Sequence, residues 1–256
     1  MRESAVPEGV PARVTLYVWT VPLSHAPQAL RRVAIDRTAV RHYPGVRFSK
    51  ALGTGHGRSF TPRDANPRRW ALLTTWADED AANRFDRDPS AAPAHWRHVA
   101  AEQWRIDLRP LSAHGRWSGR QPFGTPIPRR SDGPAAAITR GRIALGFQRR
   151  FHRSTPPVAA AVRNADGLLF ALGIGEAPVG LQGTFSLWQS HRALRAFAYR
   201  DPAHQAVIER TRRTGWYSED LFARFAVVGS AGTIDGRAPL QSDQRPLADQ
   251  PAGGIR

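Results

Sequence analysis

Few side chains in this 256-residue chain can do acid–base or metal chemistry: it has nine histidines and no cysteine. Thiolate catalysis, iron–sulfur clusters, Cys-type zinc sites and disulfides are therefore excluded, and any metal must be held by His or carboxylate. One histidine stands in a setting with chemical meaning. In Arg200-Asp201-Pro202-Ala203-His204, Asp201 reads as a helix N-cap and Pro202 as the first helical residue. His204 then lies in the first turn, facing the positive end of the helix dipole. That field disfavours imidazolium and leaves a ring-nitrogen lone pair free for ligation. His204, Val207, Ile208 and Thr211 share one face, so the imidazole has an apolar wall beside it. His95 is the competitor, because Asp88-Pro89 and His95 hold nearly the same place earlier in the chain, with Pro93 and Trp96 reading as a packed, substituted pocket. His56 sits in the long Gly-rich loop after Leu52-Gly53-Thr54-Gly55, which is long enough to reach over a bound group. His25, His42, His98, His114, His152 and His191 read as surface or loop histidines.

No other constellation stands out. The chain lacks G-x-S-x-G, H-E-x-x-H and P-loop motifs, and no G-x-G-x-x-G enters a helix, so neither a hydrolase nor a nicotinamide or flavin fold is indicated. The net charge of +16 comes with 41% hydrophobic and 23% charged residues, which excludes a fully disordered polycation. Lys50 is the only lysine, so the charge is almost all arginine. No apolar run is long enough to span a membrane, and the first residues lack a secretory signal's apolar core, so a cytoplasmic protein is expected.

The elements that must position these groups come in two copies. Trp76, Phe85 and Trp104 recur as Trp188, Phe197 and Trp216 at a spacing of 112, and Leu52-Gly53-Thr54-Gly55 recurs as Leu172-Gly173-Ile174-Gly175 at 120. Gly115, Gly119, Arg120 and Pro122 recur as Gly232, Gly236, Arg237 and Pro239 at 117. Alternation and cap signals read each copy as βαββαβ, with RVTLYVWTV, VRFSKAL, RWALLTTW and WRIDLRPL as strands of the first. Asp78 reads as the cap of a helix interrupted at Pro89.

Such a unit is ferredoxin-like, with both helices on one face of a four-stranded sheet. The expected fold is α+β: two tandem ferredoxin-like repeats packed sheet to sheet as an α+β barrel, closed or sandwiched. Residues 13–114 form the first repeat, 115–134 a linker and 135–240 the second repeat, with flexible ends at 1–12 and 241–256. Phe170, Phe185 and Trp188 are expected in the sheet interface or pocket.

GLLFALGIGEAPVGLQGTFSLW, the segment from RAFAYRDPAHQ to LFARF, and the first-half matches LGTGHGRSFTP, WALLTTW and GRWSGRQPF together resemble the spheroidene monooxygenase family of carotenoid biosynthesis. The resemblance runs over roughly residues 13 to 240. It implies a dimeric α+β barrel fold, haem b, O2 as co-substrate, an external electron donor from a redox partner protein, and hydroxylation of an apolar substrate such as an acyclic carotenoid. Without cysteine, the fifth iron ligand it implies is His or Tyr, with His204 first and His95 second. Arg200 and Arg212 become candidates for holding propionates through forked hydrogen bonds, and Ile208, Phe185 and Trp188 for apolar contact with the cofactor. A lipid-soluble substrate also favours peripheral contact with a membrane. The alternatives are a cofactor-free or haem dehydratase-type barrel enzyme on another metabolite and, from another class, a tandem RNA-recognition-like protein. Against the last, the strands RWALLTTW and GTFSLW lack the stacking motif of such modules, so no nucleic-acid partner is expected.

Overall fold

The structure, a computed structural model, describes residues 9–56, 64–127, 131–144, 146, 161–176, 181–200 and 217–240. The first copy contributes β1 (Arg13–Thr20), α1 (Ala26–Ala39), β2 (Val46–Gly55), β3 (Ala65–Trp76), α2 (Glu79–Arg87), α3 (Ala92–Arg97) and β4 (Glu102–Gly115). The second contributes β5 (Ala135–Ile143), β6 (Leu168–Gly175), β7 (Leu181–Trp188), α4 (His191–Arg200) and β8 (Tyr217–Gly232). Asp78 caps α2 as its sequence position predicts, accepting from the Ala81 N–H at 2.6 Å. The expected flexible ends, 1–12 and 241–256, lie outside the described residues apart from 9–12.

Each repeat has the ferredoxin-like strand order, β4-β1-β3-β2 and β8-β5-β7-β6, and the eight strands close into one antiparallel barrel. The repeats join edge to edge, through a short β2·β6 ladder and a long β4·β8 ladder, so of the two packings expected it is the closed one that forms. Closure removes every sheet edge.

A pseudo-dyad relates the halves. Thr54 and Ile174, equivalent positions of the two repeats, are paired with each other, and Gly53↔Gly175 mirrors Gly55↔Gly173. In the long ladder Trp104↔Gly232 mirrors Gly115↔Leu221, and Arg109 pairs with its own equivalent, Ala226. The spacing of 117 therefore governs β4 and β8, and the counterpart of Trp104 is Leu221, not Trp216, which lies outside the described residues.

Alternate residues of every strand face the barrel interior. Leu16, Leu52, Leu73, Ile106, Ile138, Leu172, Phe185 and Phe225, one from each strand, share a single buried cluster. Trp117 and Phe123, in the segment expected as a linker, belong to it too: Phe123 meets Phe225 edge-on at 4.9 Å and Trp117 meets Phe48 at 5.6 Å. The inner faces of both sheets are thus core and present no stacking surface.

Candidate functional site

The two repeats differ most on the outer face of their sheets, where helices pack. In the first repeat that layer is full. Tyr17 and Trp19 of β1 stack at 5.5 Å, and Trp19 stacks on Trp96 of α3 at 4.7 Å. Leu72, Trp76 and Phe85 complete the cluster with Val33 and Val40 from the α1 side. The Trp96 indole N–H donates to Asp36 at 2.8 Å, and Thr15 donates to the buried Asp107 at 2.9 Å, which also pairs with Arg105 at 3.0 Å. His95 lies at this layer, half-buried, with Nδ1 2.9 Å from the Ala91 carbonyl oxygen.

The register fixes what stands at the same positions in the second repeat. Thr15, Tyr17 and Trp19, opposite Thr74, Leu72 and Trp70, become Ala137, Thr139 and Gly141, opposite Ser186, Thr184 and Gln182. Two large aromatics and a leucine are thereby replaced by two threonines and a glycine. The ring of Tyr217 takes the place of Trp19, lying across Gly141 where any Cβ would run into it. Burial, reinforced by Asp220, pushes the Tyr217 phenol up to about 12, so it stays protonated at neutral pH. Among the described residues none takes the place of Tyr17, and Thr139 and Phe222 are exposed.

Together Ala137, Thr139, Thr184, Ser186, Ala171 and Gly173 make a flat floor of small side chains across β5, β7 and β6. One wall comes from α4 and the end of β7: Trp188, buried, stacks on Phe197 at 5.2 Å and shares its cluster with Leu194 and Ala135. The Trp188 indole N–H donates to Ser186 at 2.9 Å, which fixes the ring against the floor's upper edge. At the β8 side stand Phe222 and Arg224, outward neighbours of Thr139 and Ala137.

The candidates read from the sequence distribute unevenly around this floor. Trp188 borders it. Phe185, three residues earlier, points the other way, fully buried in the barrel core 6.1 Å from Trp104, because strand alternation sends odd and even positions to opposite faces. Phe170 also packs on the core, 5.1 Å from Trp104. His56 is exposed and follows Gly55, whose partner across the repeat seam is Gly173 of the floor. Arg200 ends α4, with its side chain outside the described residues, and His204, Ile208 and Arg212 lie outside them altogether.

Sequence reasoning passed over two groups here. His191, read as a surface histidine, starts α4 with a buried Nε2 that has no hydrogen-bond partner. Burial first, and the nearby Arg224 charge second, hold its pKa below the usual histidine value. Arg224 was hidden among many arginines. The signal for the floor itself was present in RVTLYVWT set against AAAITRGR.

These features fit a haem, whose macrocycle is flat and apolar with carboxylates at one edge: a level bed of small side chains, an aromatic wall, and rim nitrogens of Arg224 and His191 with no acceptor among the described residues. Among the described residues no group of three His, Asp or Glu side chains comes together to hold a bare metal ion. No described helix is long and apolar enough to cross a membrane.

A second polar centre lies inside the barrel, on the opposite side of β5. Arg140, where the first repeat has Val18, is 2% exposed and pairs with Glu176 at 3.1 Å and with Glu219, its guanidinium 5.4 Å from the Trp117 ring. Lys50 bonds the other Glu176 oxygen at 2.6 Å, and Glu219 accepts from the Ser118 and Gly119 N–H groups at 2.9 and 2.7 Å. Burial alone would raise the Glu219 pKa, but those two N–H groups and Arg140 outweigh it and hold it below the usual range. The pairs join the end of β5 to β8, while the buried Arg140 Nε has no hydrogen-bond partner among the described residues.

Barrel closure by two ferredoxin-like repeats, with one helix layer packed and the other floored by small residues, defines a single-chain α+β barrel protein. An aldoxime dehydratase structure shares this fold, with a TM-score of 0.55 at 12% identity over 84% of this chain and 80% of that one. In sequence, the chain is 35% identical over 224 residues to the spheroidene monooxygenase of Rhodobacter capsulatus, covering 86% of this chain and 91% of that protein. It is 38% identical over 195 residues to that of Rubrivivax gelatinosus, covering 76% and 73%. The match to the Cereibacter sphaeroides spheroidene monooxygenase, 31% identical, spans 82% of this chain and 65% of that protein's length. No family model matches the chain. The chain belongs to the spheroidene monooxygenase family, whose members are oxidoreductases.

Proposed function

We propose that this protein is a haem-dependent monooxygenase that uses O2 to oxidise an apolar organic substrate, a spheroidene-type acyclic carotenoid or a related metabolite. The observation that carries the reading is the loss of Tyr17 and Leu72 equivalents at Thr139 and Thr184, in a member of a monooxygenase family. Large side chains at these sheet positions, as in the first repeat, would each contribute about 1.5–3 kcal/mol by burial. A bed cleared of them is built for something else.

In this reading His204 would ligate the iron of a haem held at the outer face of the second sheet. Ile208, Trp188 and Phe197 would line it, and Arg200 and Arg212 would hold its propionates. Bound haem supplies O2 binding and activation, which amino-acid side chains lack. The chain's part is to hold and orient it: Gly173, Ala171 and Ala137 admit close approach, and Phe222 keeps the β8 side apolar. Water exclusion by these walls favours an apolar substrate. Electrons come from an external donor carried by a redox partner protein, because the sequence has no flavin or nicotinamide fingerprint. We place the protein in the cytoplasm with peripheral membrane contact, where a lipid-soluble substrate is met.

An absorption spectrum of the purified protein, oxidised and reduced, tests the cofactor. A Soret band that collapses in His204→Ala supports the assignment, and unchanged haem content in that variant removes His204 from the role. Oxidation of an acyclic carotenoid that requires both O2 and a reductant tests the reaction. Turnover without O2 would overturn the monooxygenase reading.

A further inference from the structure

We infer that Arg224 and His191 form a carboxylate-binding pair at the β8 rim of the floor and anchor the acidic edge of the bound cofactor. The inference rests on the proposal that a haem lies on that floor, and assigns an anchoring role to two residues beyond Arg200 and Arg212.

The pseudo-dyad supplies the comparison. Asp107 of the first repeat and Arg224 of the second occupy equivalent positions, opposite Thr15 and Ala137 in their respective ladders. Asp107 is a solved problem: buried, with Thr15 on one oxygen and Arg105 on the other. In the second repeat the charge is reversed and both partners are gone, Thr15 becoming Ala137 and Arg105 becoming Phe222. Among the described residues the only hydrogen-bond acceptor Arg224 finds is Ser112 Oγ, reached by Nε at 3.0 Å. Its two terminal nitrogens, the fork that matches a carboxylate, are left over.

His191 adds a second nitrogen, Nε2, which donates in the tautomer that carries its proton there. It is half-buried, its Nε2 is shut off from water without a partner, and the Arg224 charge acts on it directly. Asp132, in the segment leading to β5, also acts on His191, with opposite sign and as the weakest of the three causes. A buried donor left without a partner is destabilising, and a cation beside it adds to the cost. One anion with two oxygens would relieve both, bridging the guanidinium fork and the imidazole. Equivalent geometry in the first repeat is closed by Asp107, so the pair is specific to the repeat with the bare floor.

The test uses the full-length protein and two probes, hemin and hemin dimethyl ester, which differ only in whether the edge carries carboxylates. Binding is followed by absorbance, and folding of each variant by its thermal melt. Arg224→Ala is expected to weaken hemin binding 10- to 100-fold while leaving the ester's affinity unchanged. Arg224→Lys should recover part of the loss, and His191→Ala should show a smaller one. Equal weakening of both probes, or no weakening of hemin, overturns the pair. Wild-type protein that binds neither probe refutes the haem reading itself, a result distinct from one in which hemin binds and Arg224→Ala makes no difference.

Discussion

Gly115 and Gly232 carry the most quantitative consequence of the pseudo-dyad. They end β4 and β8 with φ of 90° and 84°, and a Cβ on either would be driven into a backbone carbonyl oxygen, of Asp220 in one case and Gln103 in the other. Two costs follow for Gly115→Ala. The left-handed backbone region costs an L-residue about 1–2 kcal/mol. Relief of the clash opens the ladder locally, at about 1 kcal/mol for each of one or two hydrogen bonds lost. The expected total is about 2–4 kcal/mol, and Gly232→Ala should match it, because its surroundings are the same by symmetry. Gly119 and Gly236 are internal controls: φ is 76° and 71°, but nothing lies within 4 Å of the added methyl. Their alanine variants should therefore lose only the backbone part, about 1–2 kcal/mol. The assay is urea unfolding at constant slope. The two ladder glycines lie at opposite ends of the long ribbon, so their costs should add. The reasoning fails if Gly115→Ala costs no more than Gly119→Ala, or if the symmetric pair differs by more than about 2 kcal/mol.

Refilling the floor with the first repeat's residues, Thr139→Tyr with Thr184→Leu, should lower hemin affinity at least about 100-fold, equivalent to about 2.7 kcal/mol, with little change in the urea midpoint. Retained affinity in that double variant would place the cofactor elsewhere. Asp78→Ala, by removing the cap on the Ala81 N–H, should cost about 1 kcal/mol in urea unfolding. Glu219, depressed in the folded state, stabilises fully above its unfolded pKa. That stability drains away as pH falls below about 4.5. Glu219→Gln should flatten this part of the acid unfolding curve, and an unaltered curve would dissociate the Arg140 cluster from acid sensitivity.

Much of the fold was legible because duplication writes itself twice. The ladders at 117 and 120 mark the two seams where equivalent strands meet, and the spacing of 112 holds for β3 with β7 and for α2 with α4, as Trp76 with Trp188 and Phe85 with Phe197 show. The third rung of that spacing misled. Trp104 and Trp216 fall 112 apart, yet the approach to β8 is five residues longer than that to β4, and only the reciprocal pairing reveals it. Residues 115–134 read as a linker because composition reports Gly and Pro but not the core contacts that Trp117 and Phe123 make. Phe185 was grouped with Trp188 although strand parity separates them. The floor escaped notice because it is written in what is missing, and small residues at Thr139 and Gly141 carry no motif until their counterparts are aligned.

The unequal helix layers bear on how the chain could change over time. The first repeat concentrates its aromatic clusters in one layer and can act as ballast for the whole barrel, since the long β4·β8 ribbon ties the halves into one sheet. Its partner is thereby released from holding itself together. Substitutions that reshape the bed around Thr139 and Thr184 draw on a reserve kept elsewhere, so new substrate shapes are open to this half while the same changes at Tyr17 and Leu72 would be felt as unfolding.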